Sequence, residues 1–235
     1  MARSRAPRII RLVFKLLLTL LIITVTAILG WRIGCSEDYS LTKGVTPNDT
    51  LKAAYATHGD NLILQYQEDR ATITKAEDNY GYFSVIEYVY IPQAQQLQVN
   101  VRYNNSTLKH LKEDYGLSEA PDRALDWYDV TVAISTDLTP DDQTDNLNQD
   151  ALSIERIHAT GEPVRENTTL YSYRRYTFDN VILTDNTVGM FVDIYYNGDI
   201  NYEKDAYGTL LIYDKTAPWY SYELSKDERE ALSAP

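Results

Sequence analysis

Between Lys15 and Arg32 the chain runs from Leu16 to Trp31 without a single charge, as LLLTLLIITVTAILGW. Leu12, Val13 and Phe14 extend the run, and Arg11 and Lys15 can snorkel their charges towards lipid head groups. The apolar stretch then reaches about 20 residues, the length a helix needs to cross a bilayer. A backbone in hydrocarbon must satisfy its own polar groups, so this stretch can only be helical. Residues 12–33 therefore read as a transmembrane signal anchor.

Arg3, Arg5, Arg8, Arg11 and Lys15 surround the start of the run, and the first acidic residue is Glu37. The positive-inside bias keeps residues 1–11 in the cytoplasm as a basic tail and sends everything after Trp31 outside, with the cell membrane as the expected location. Two rival readings compete with an uncleaved anchor. Val25-Thr26-Ala27 offers small residues for signal cleavage, but it lies inside the apolar run. Gly34-Cys35-Ser36 has the end of a lipoprotein signal, but Arg32 stands where that signal needs an apolar residue.

The net charge of −12 hides an asymmetry. Beyond residue 36 the chain holds sixteen basic and thirty-four acidic groups, a net of −18. Such a surface repels polyanions, which excludes nucleic acid as a partner. Cys35 is the only cysteine and sits at the membrane boundary, so the outer part has no internal disulfide and is held by its core alone. Twenty tyrosines against four phenylalanines is the most unusual feature of the composition.

Residues 34–45 read as a polar tether. Thr46-Pro47 opens a helix, with Thr46 as N-cap and Leu51, Ala54 and Tyr55 on one face, and Gly59 ends it. Strands are expected near 61–68, 71–74 and 80–91. Pro92 closes the last of these, whose two faces are both apolar or aromatic apart from Glu87. Leu97, Val99, Val101 and Tyr103 alternate with Gln96, Gln98, Asn100 and Arg102, the pattern of a half-buried strand. Ser106 caps a short helix that Gly116 closes. Tyr128, Val130, Val132 and Ile134 alternate with Asp129, Thr131, Ala133 and Ser135 as another half-buried strand. Residues 137–150 have almost no apolar side chain and form a loop. Further strands are expected near 153–158, 170–178, 188–196, 207–214 and 219–224, with a Ser225-to-Glu228 capping box opening a terminal helix. Eight or nine strands without strand–helix alternation predict a mainly all-β fold: residues 46–235 form one antiparallel β-sandwich, with an immunoglobulin-like arrangement as one candidate.

Signatures of catalysis are scarce. There is no nucleophile elbow, phosphate loop, zinc-helix motif or Cys-x-x-Cys, and His58, His110 and His158 lack metal-ligand spacing. No cofactor is expected; calcium is the one ion worth weighing. Asp137, Asp141, Asp142, Asp145, Asn148 and Asp150 form one oxygen-rich segment, and Asp199, Asn201, Glu203 and Asp205 a second. The second departs from the EF-hand loop where that loop needs glycine, at Lys204, and where it needs glutamate, at Leu210. Glu87, an acid on an apolar strand, is a candidate for a raised pKa, with an ion pair as its plainer explanation. The pairs Tyr80/Tyr82, Tyr88/Tyr90 and Tyr171/Tyr173 each project from one strand face, where they serve either as stacking platforms for a ligand or as structural filling.

These features predict a membrane-anchored, non-enzymatic binding or scaffold module of the cell envelope, with a protein or glycan ligand. A carboxylate-dependent envelope hydrolase centred on Glu87 or the 137–150 loop, and a structural subunit of a membrane complex, are the alternatives.

Overall fold

The computed structural model describes residues 6–36, 39–67, 71–74, 81–114, 116–122, 126, 128–137, 152–196, 208–214 and 219–234. Helix α1 spans Ala6–Ser36, and its segment Arg11–Cys35 is long and apolar enough to cross a membrane. None of that segment's apolar surface is buried against the rest of the chain.

Beyond α1 the chain folds as a β-sandwich. Strands β1 (Gln65–Gln67), β2 (Ala71–Thr74), β3 (Gly81–Ile91), β4 (Gln96–Asn104), β5 (Tyr128–Asp137), β6 (Leu152–His158), β7 (Val164–Asn167), β8 (Tyr171–Asp179), β9 (Thr187–Tyr196), β10 (Gly208–Asp214) and β11 (Tyr220–Ser221) pair antiparallel throughout. The larger sheet runs β11-β1-β3-β4-β8-β7, with β2 also on β3, and the smaller runs β10-β9-β5-β6. Leu97, Val99, Val101 and Tyr103 from the larger sheet meet Val130, Val132, Met190, Val192 and Ile194 from the smaller in a dry core between them.

The larger sheet is buried on its other face as well. Helices α2 (Asp49–His58) and α4 (Lys226–Ser233) lie there, and Leu51, Ala54, Leu224 and Leu232 pack on Val89 and Ile91 in a second core. A short helix α3 (Thr107–Asp114) follows β4. The expected capping box is present in α4, where Ser225 and Glu228 bond reciprocally. Helix α2 starts two residues later than Thr46 suggests: Asn48 caps it, its Oδ1 accepting from Leu51 N–H at 2.9 Å. Thr46 is otherwise engaged, because Gln98 bonds both its N–H and its carbonyl, at 2.7 and 2.8 Å.

That contact belongs to a longer feature. The stretch from Leu41 to Asn48, half of which reads as tether in the sequence, is laid across the larger sheet as a strap with Thr42, Gly44 and Val45 buried. A strap outside any ladder must find partners for every backbone group it buries, and here side chains provide them. Glu166 of β7 accepts from the N–H groups of Leu41 and Thr42, Glu87 of β3 from Gly44, and Glu228 of α4 from Val45. The Thr42 carbonyl accepts from Asn100 Nδ2 at 2.7 Å and Arg175 Nε at 2.6 Å. Gly44 sits at φ +73°, and a Cβ there would fall 2.3 Å from Glu228 Oε1 and 2.6 Å from the Tyr222 hydroxyl. Only glycine allows that turn and that approach.

Glu87, Asn100 and Arg175 stand in register across three central strands, and the Arg175 guanidinium pairs with the Glu87 carboxylate. Both are fully buried. Burial pushes the Glu87 carboxyl up, with Arg175 and the bonds from Asn100 and Gly44 pulling it back; burial likewise lowers Arg175 against the pull of Glu87. A bulge between Val85 and Glu87 decides this placement. It turns Phe83 and Val85 to the same side as Tyr88 and Tyr90, towards the smaller sheet, and leaves Glu87, Val89 and Ile91 beneath strap and helices. The strict alternation expected from the sequence is broken at that point.

Removing one member of a buried pair leaves the other charge stranded, so Arg175→Met is expected to cost about 3–5 kcal/mol in denaturant unfolding. Adding Glu87→Gln removes the second charge and keeps an acceptor for Gly44 N–H. The double variant is expected to recover most of the loss; equal instability of the two would show that the pair's charges are not what matters.

Candidate functional site

The smaller sheet turns Val130, Val132, Ile134, Met190, Val192 and Ile194 inward, so the intervening residues form its outer face. On that face the register aligns Leu211, Phe191, Ala133 and Arg156 in one row. The next row is Thr209, Asp193, Thr131 and His158. The middle strand, β5, offers only short side chains there, while its neighbours offer long ones. The result is a trough with Thr131 and Ala133 as floor, walled by Phe191 and Asp193 on β9 and by Arg156 and His158 on β6.

As the polar side of a half-buried strand, this floor is expected to be wet. Thr131 is instead 0% and Ala133 4% exposed. Arg156 reaches across β5 from its wall to within 3.9 Å of the Asp193 carboxylate, and its guanidinium lies 6.0 Å from the Tyr195 ring centroid. Asp193 is itself 5% exposed and accepts a hydrogen bond from Thr209 Oγ1 at 2.7 Å. Burial, then the Asp193 charge, pushes the Tyr195 phenol up. Phe191 leans over Gly189, where a Cβ would come 3.2 Å from the ring, so the glycine lets the aromatic face lie against the sheet. Leu211 continues that apolar side, half exposed.

The Thr131 hydroxyl is buried in this trough without a hydrogen-bond partner. It stands between His158 and Asp193 in register, yet it bonds to neither, so the order hydroxyl–base–acid needed for a nucleophile is not made. What the arrangement can do is bind. The Arg156 guanidinium, the open polar group here, can bond hydroxyl, carbonyl or carboxylate oxygens, and Phe191 with Leu211 can take an apolar face, while the Thr131 hydroxyl is closed to solvent.

The residues singled out from the sequence fall elsewhere. Tyr88 and Tyr90 are buried in the inter-sheet core against Trp219, with ring centroids 5.4 and 6.2 Å away. Tyr171 and Tyr173 lie on the opposite face of the larger sheet, 6.3 Å apart, where Tyr173 is fully buried under a stacked Tyr39 at 4.7 Å. Only Tyr171 of these four is partly open, with Arg102 4.4 Å above its ring. The tyrosine pairs do not combine into one platform, because β3 and β8 present them to opposite sides of the sheet. Tyr80 and the side chain of Tyr82 lie outside the described residues, as do Asp141, Asp145, Asp150, Asp199, Asn201 and Glu203, the calcium candidates. Among the described residues no group of three His, Cys, Asp or Glu side chains is placed to hold a metal. Glu87, the candidate acid, is closed beneath the strap in its ion pair. Cys35 is exposed on α1.

Sequence reasoning misses Asp193 and Arg156 as a pair. The one signal is the spacing Phe191, Asp193, Tyr195, which puts a charge between two aromatics on a single strand face. Comparison with known protein families, characterised proteins and solved structures finds no match for this chain.

A buried hydroxyl lacking a partner costs about 1–3 kcal/mol, so Thr131→Val, which keeps the shape, is expected to stabilise the unliganded protein by about that amount. At about 2–4 °C per kcal/mol the gain is readable in a melting curve. A lowered melting temperature would mean that the hydroxyl is satisfied in solution.

Proposed function

We propose that this chain is a membrane-anchored binding module of the cell envelope, non-enzymatic, taking a glycan or protein ligand in the trough of the smaller sheet. The observation that carries the reading is the open Arg156 guanidinium, held across β5 by the Asp193 carboxylate that Thr209 also bonds, beside the partly open Phe191 and the exposed Leu211. Those are the groups that recognise a hydroxyl-bearing ring: polar atoms fix the orientation and an aromatic face takes the C–H side. A solvated acid on a strand face would need none of that arrangement.

The helix over Arg11–Cys35 supports the anchor, and the five basic residues around its start support a cytoplasmic N-terminus with the sandwich outside. An enzyme fusion after Pro235 tests that orientation. Alkaline phosphatase, active only outside the cytoplasm, is expected to be active there and β-galactosidase inactive; the reverse pattern would invert the topology and remove the envelope from the reading.

Binding is tested with the full chain in lipid nanodiscs against a glycan array and against isolated envelope polysaccharide. Retention by the wild-type protein is expected, falling at least tenfold, or about 1.4 kcal/mol, in Phe191→Ala and in Asp193→Asn. Wild-type binding that neither substitution weakens would place the ligand elsewhere. No binding to any glycan, with specific capture of a purified envelope protein that depends on the same two residues, would make the ligand protein.

A further inference from the structure

The strap fixes more than the sheet beneath it. Helix α1 ends at Ser36 and the strap is bonded from Leu41 onward, so at most about 17 Å of extended chain separates the end of the helix from a fixed point on the sandwich. The part of the head nearest that point has an unusual surface. Along the strap Thr42 and Gly44 are buried against the sheet, while Leu41, 67% exposed, and Lys43 face out. Beside them the partly buried Tyr39 stacks on Tyr173, and Arg102 lies over the ring of Tyr171, itself partly buried. Asn167, Thr168 and Thr169, the turn between β7 and β8, line a cleft together with Arg32 and Cys35 of α1. Asn105 N–H bonds the Leu170 carbonyl at 2.8 Å, which brings the start of α3, with exposed Lys109, to the same end.

We propose that this end of the sandwich rests in the head-group layer of the bilayer that holds α1, with Leu41 and Tyr171 at the level of the lipid glycerols and Lys43, Arg102 and Lys109 on the phosphates. The inference depends on α1 being a membrane span. Its chemistry is that of interfacial segments: an exposed aliphatic side chain, amphipathic phenol rings and long basic side chains on one surface. The outer part is net −18, and three of its cations, Lys43, Arg102 and Lys109, belong to the segments just named, with Glu37 and Asp38 the acids that follow α1 in sequence. The nearby Glu166 carboxylate is turned inward onto the strap amides, and Glu113 lies at the later turn of α3. Attachment through α1 makes the contact intramolecular, so even a weak affinity for lipid holds the head down.

The experiment uses the full chain with Cys35→Ser and single cysteines carrying nitroxide labels, in vesicles of phosphatidylcholine mixed with phosphatidylglycerol. Labels stand at Leu41, at Lys109 and at Ile182, which is also exposed but lies beyond the opposite end of β8. A fourth, at Leu21 in α1, reports insertion of the helix alone. The readout is accessibility to lipid-soluble oxygen relative to a water-soluble nickel chelate. A ratio several-fold higher at Leu41 and Lys109 than at Ile182, reduced by Lys43→Glu with Arg102→Glu, is the expected result. Lipid-like values at Leu21 with equal, aqueous values at Leu41 and Ile182 would overturn the head-group contact and leave the anchor standing. Aqueous values at Leu21 would overturn both.

Discussion

The structure depends on how three carboxylates hold one strand-like segment that has no strand to pair with. Glu166, Glu87 and Glu228 come from β7, β3 and α4, and between them they accept the N–H groups of Leu41, Thr42, Gly44 and Val45. Each is a charge-assisted bond, about twice as strong as a neutral one. A hydrophobic strap would lie as well on apolar side chains, but it would be free to slide along them. Charged acceptors at fixed points give the segment one register. The cost is a buried charge at Glu87, and Arg175 offsets it from the same sheet while also bonding the Thr42 carbonyl. The remaining acceptor, Glu228, is held below the usual carboxylate range: burial alone would raise it, and the hydrogen bonds from Val45, Ser225 and Tyr222 outweigh that burial.

This arrangement explains why the larger sheet carries two cores of different character. Its sandwich face is mostly apolar and aromatic, ending in a cluster where Phe83, Tyr103 and Tyr128 meet edge to face or tilted and where the buried Arg174 pairs with Asp126. Its other face is polar where the strap crosses β3, β4 and β8, apolar under α2 and α4, and aromatic where Tyr39 stacks on Tyr173. Gln96, Gln98 and Asn100 are fully buried there, and each finds a partner in the strap, in the α2 cap or in a neighbouring side chain. Buried amides of this kind give specificity where packing alone would give only adhesion.

Much of this is legible in the sequence, and the failures have physical causes. Period-two alternation locates β4 and β5 and their inward faces, because a residue such as Val99 or Val132 has no other reason to recur at that spacing. The same pattern misjudges the opposite faces. Gln98 and Thr131 look alike whether they meet water or protein, since short polar side chains suit both, and only the register shows what lies across from them. The bulge after Val85 is hidden because Ile86 and its neighbours are apolar on both sides, so a slip in phase leaves no trace in the pattern. Strand β7 escapes notice since Val164–Asn167 is short and mostly polar. Thr46 is as good a cap as Asn48 by residue type, and only the fold shows Gln98 occupying it. The trough needs three strands aligned at once: Asp193, Thr131 and His158 are far apart along the chain, and no local spacing joins them.

Anchoring by a bonded strap has a consequence for recognition that a loose tether would not. A flexible linker lets a head turn freely, so that any face can meet a ligand, and the effective concentration at a given face is low. Here only residues 37–40 separate the end of α1 from the first strap bond, and the strap then crosses the central strands under hydrogen bonds at almost every residue. The orientation of the larger sheet relative to α1 is thereby narrowed, and with it that of the smaller sheet, which is joined to the larger through the shared core. The trough holding Asp193 and Phe191 lies on the outer side of that smaller sheet, with both sheets between it and the strap. If the head binds a fixed partner, as proposed, it loses less orientational entropy than a head on a loose tether would, because part of that freedom was already removed when the strap folded onto Glu87 and Arg175.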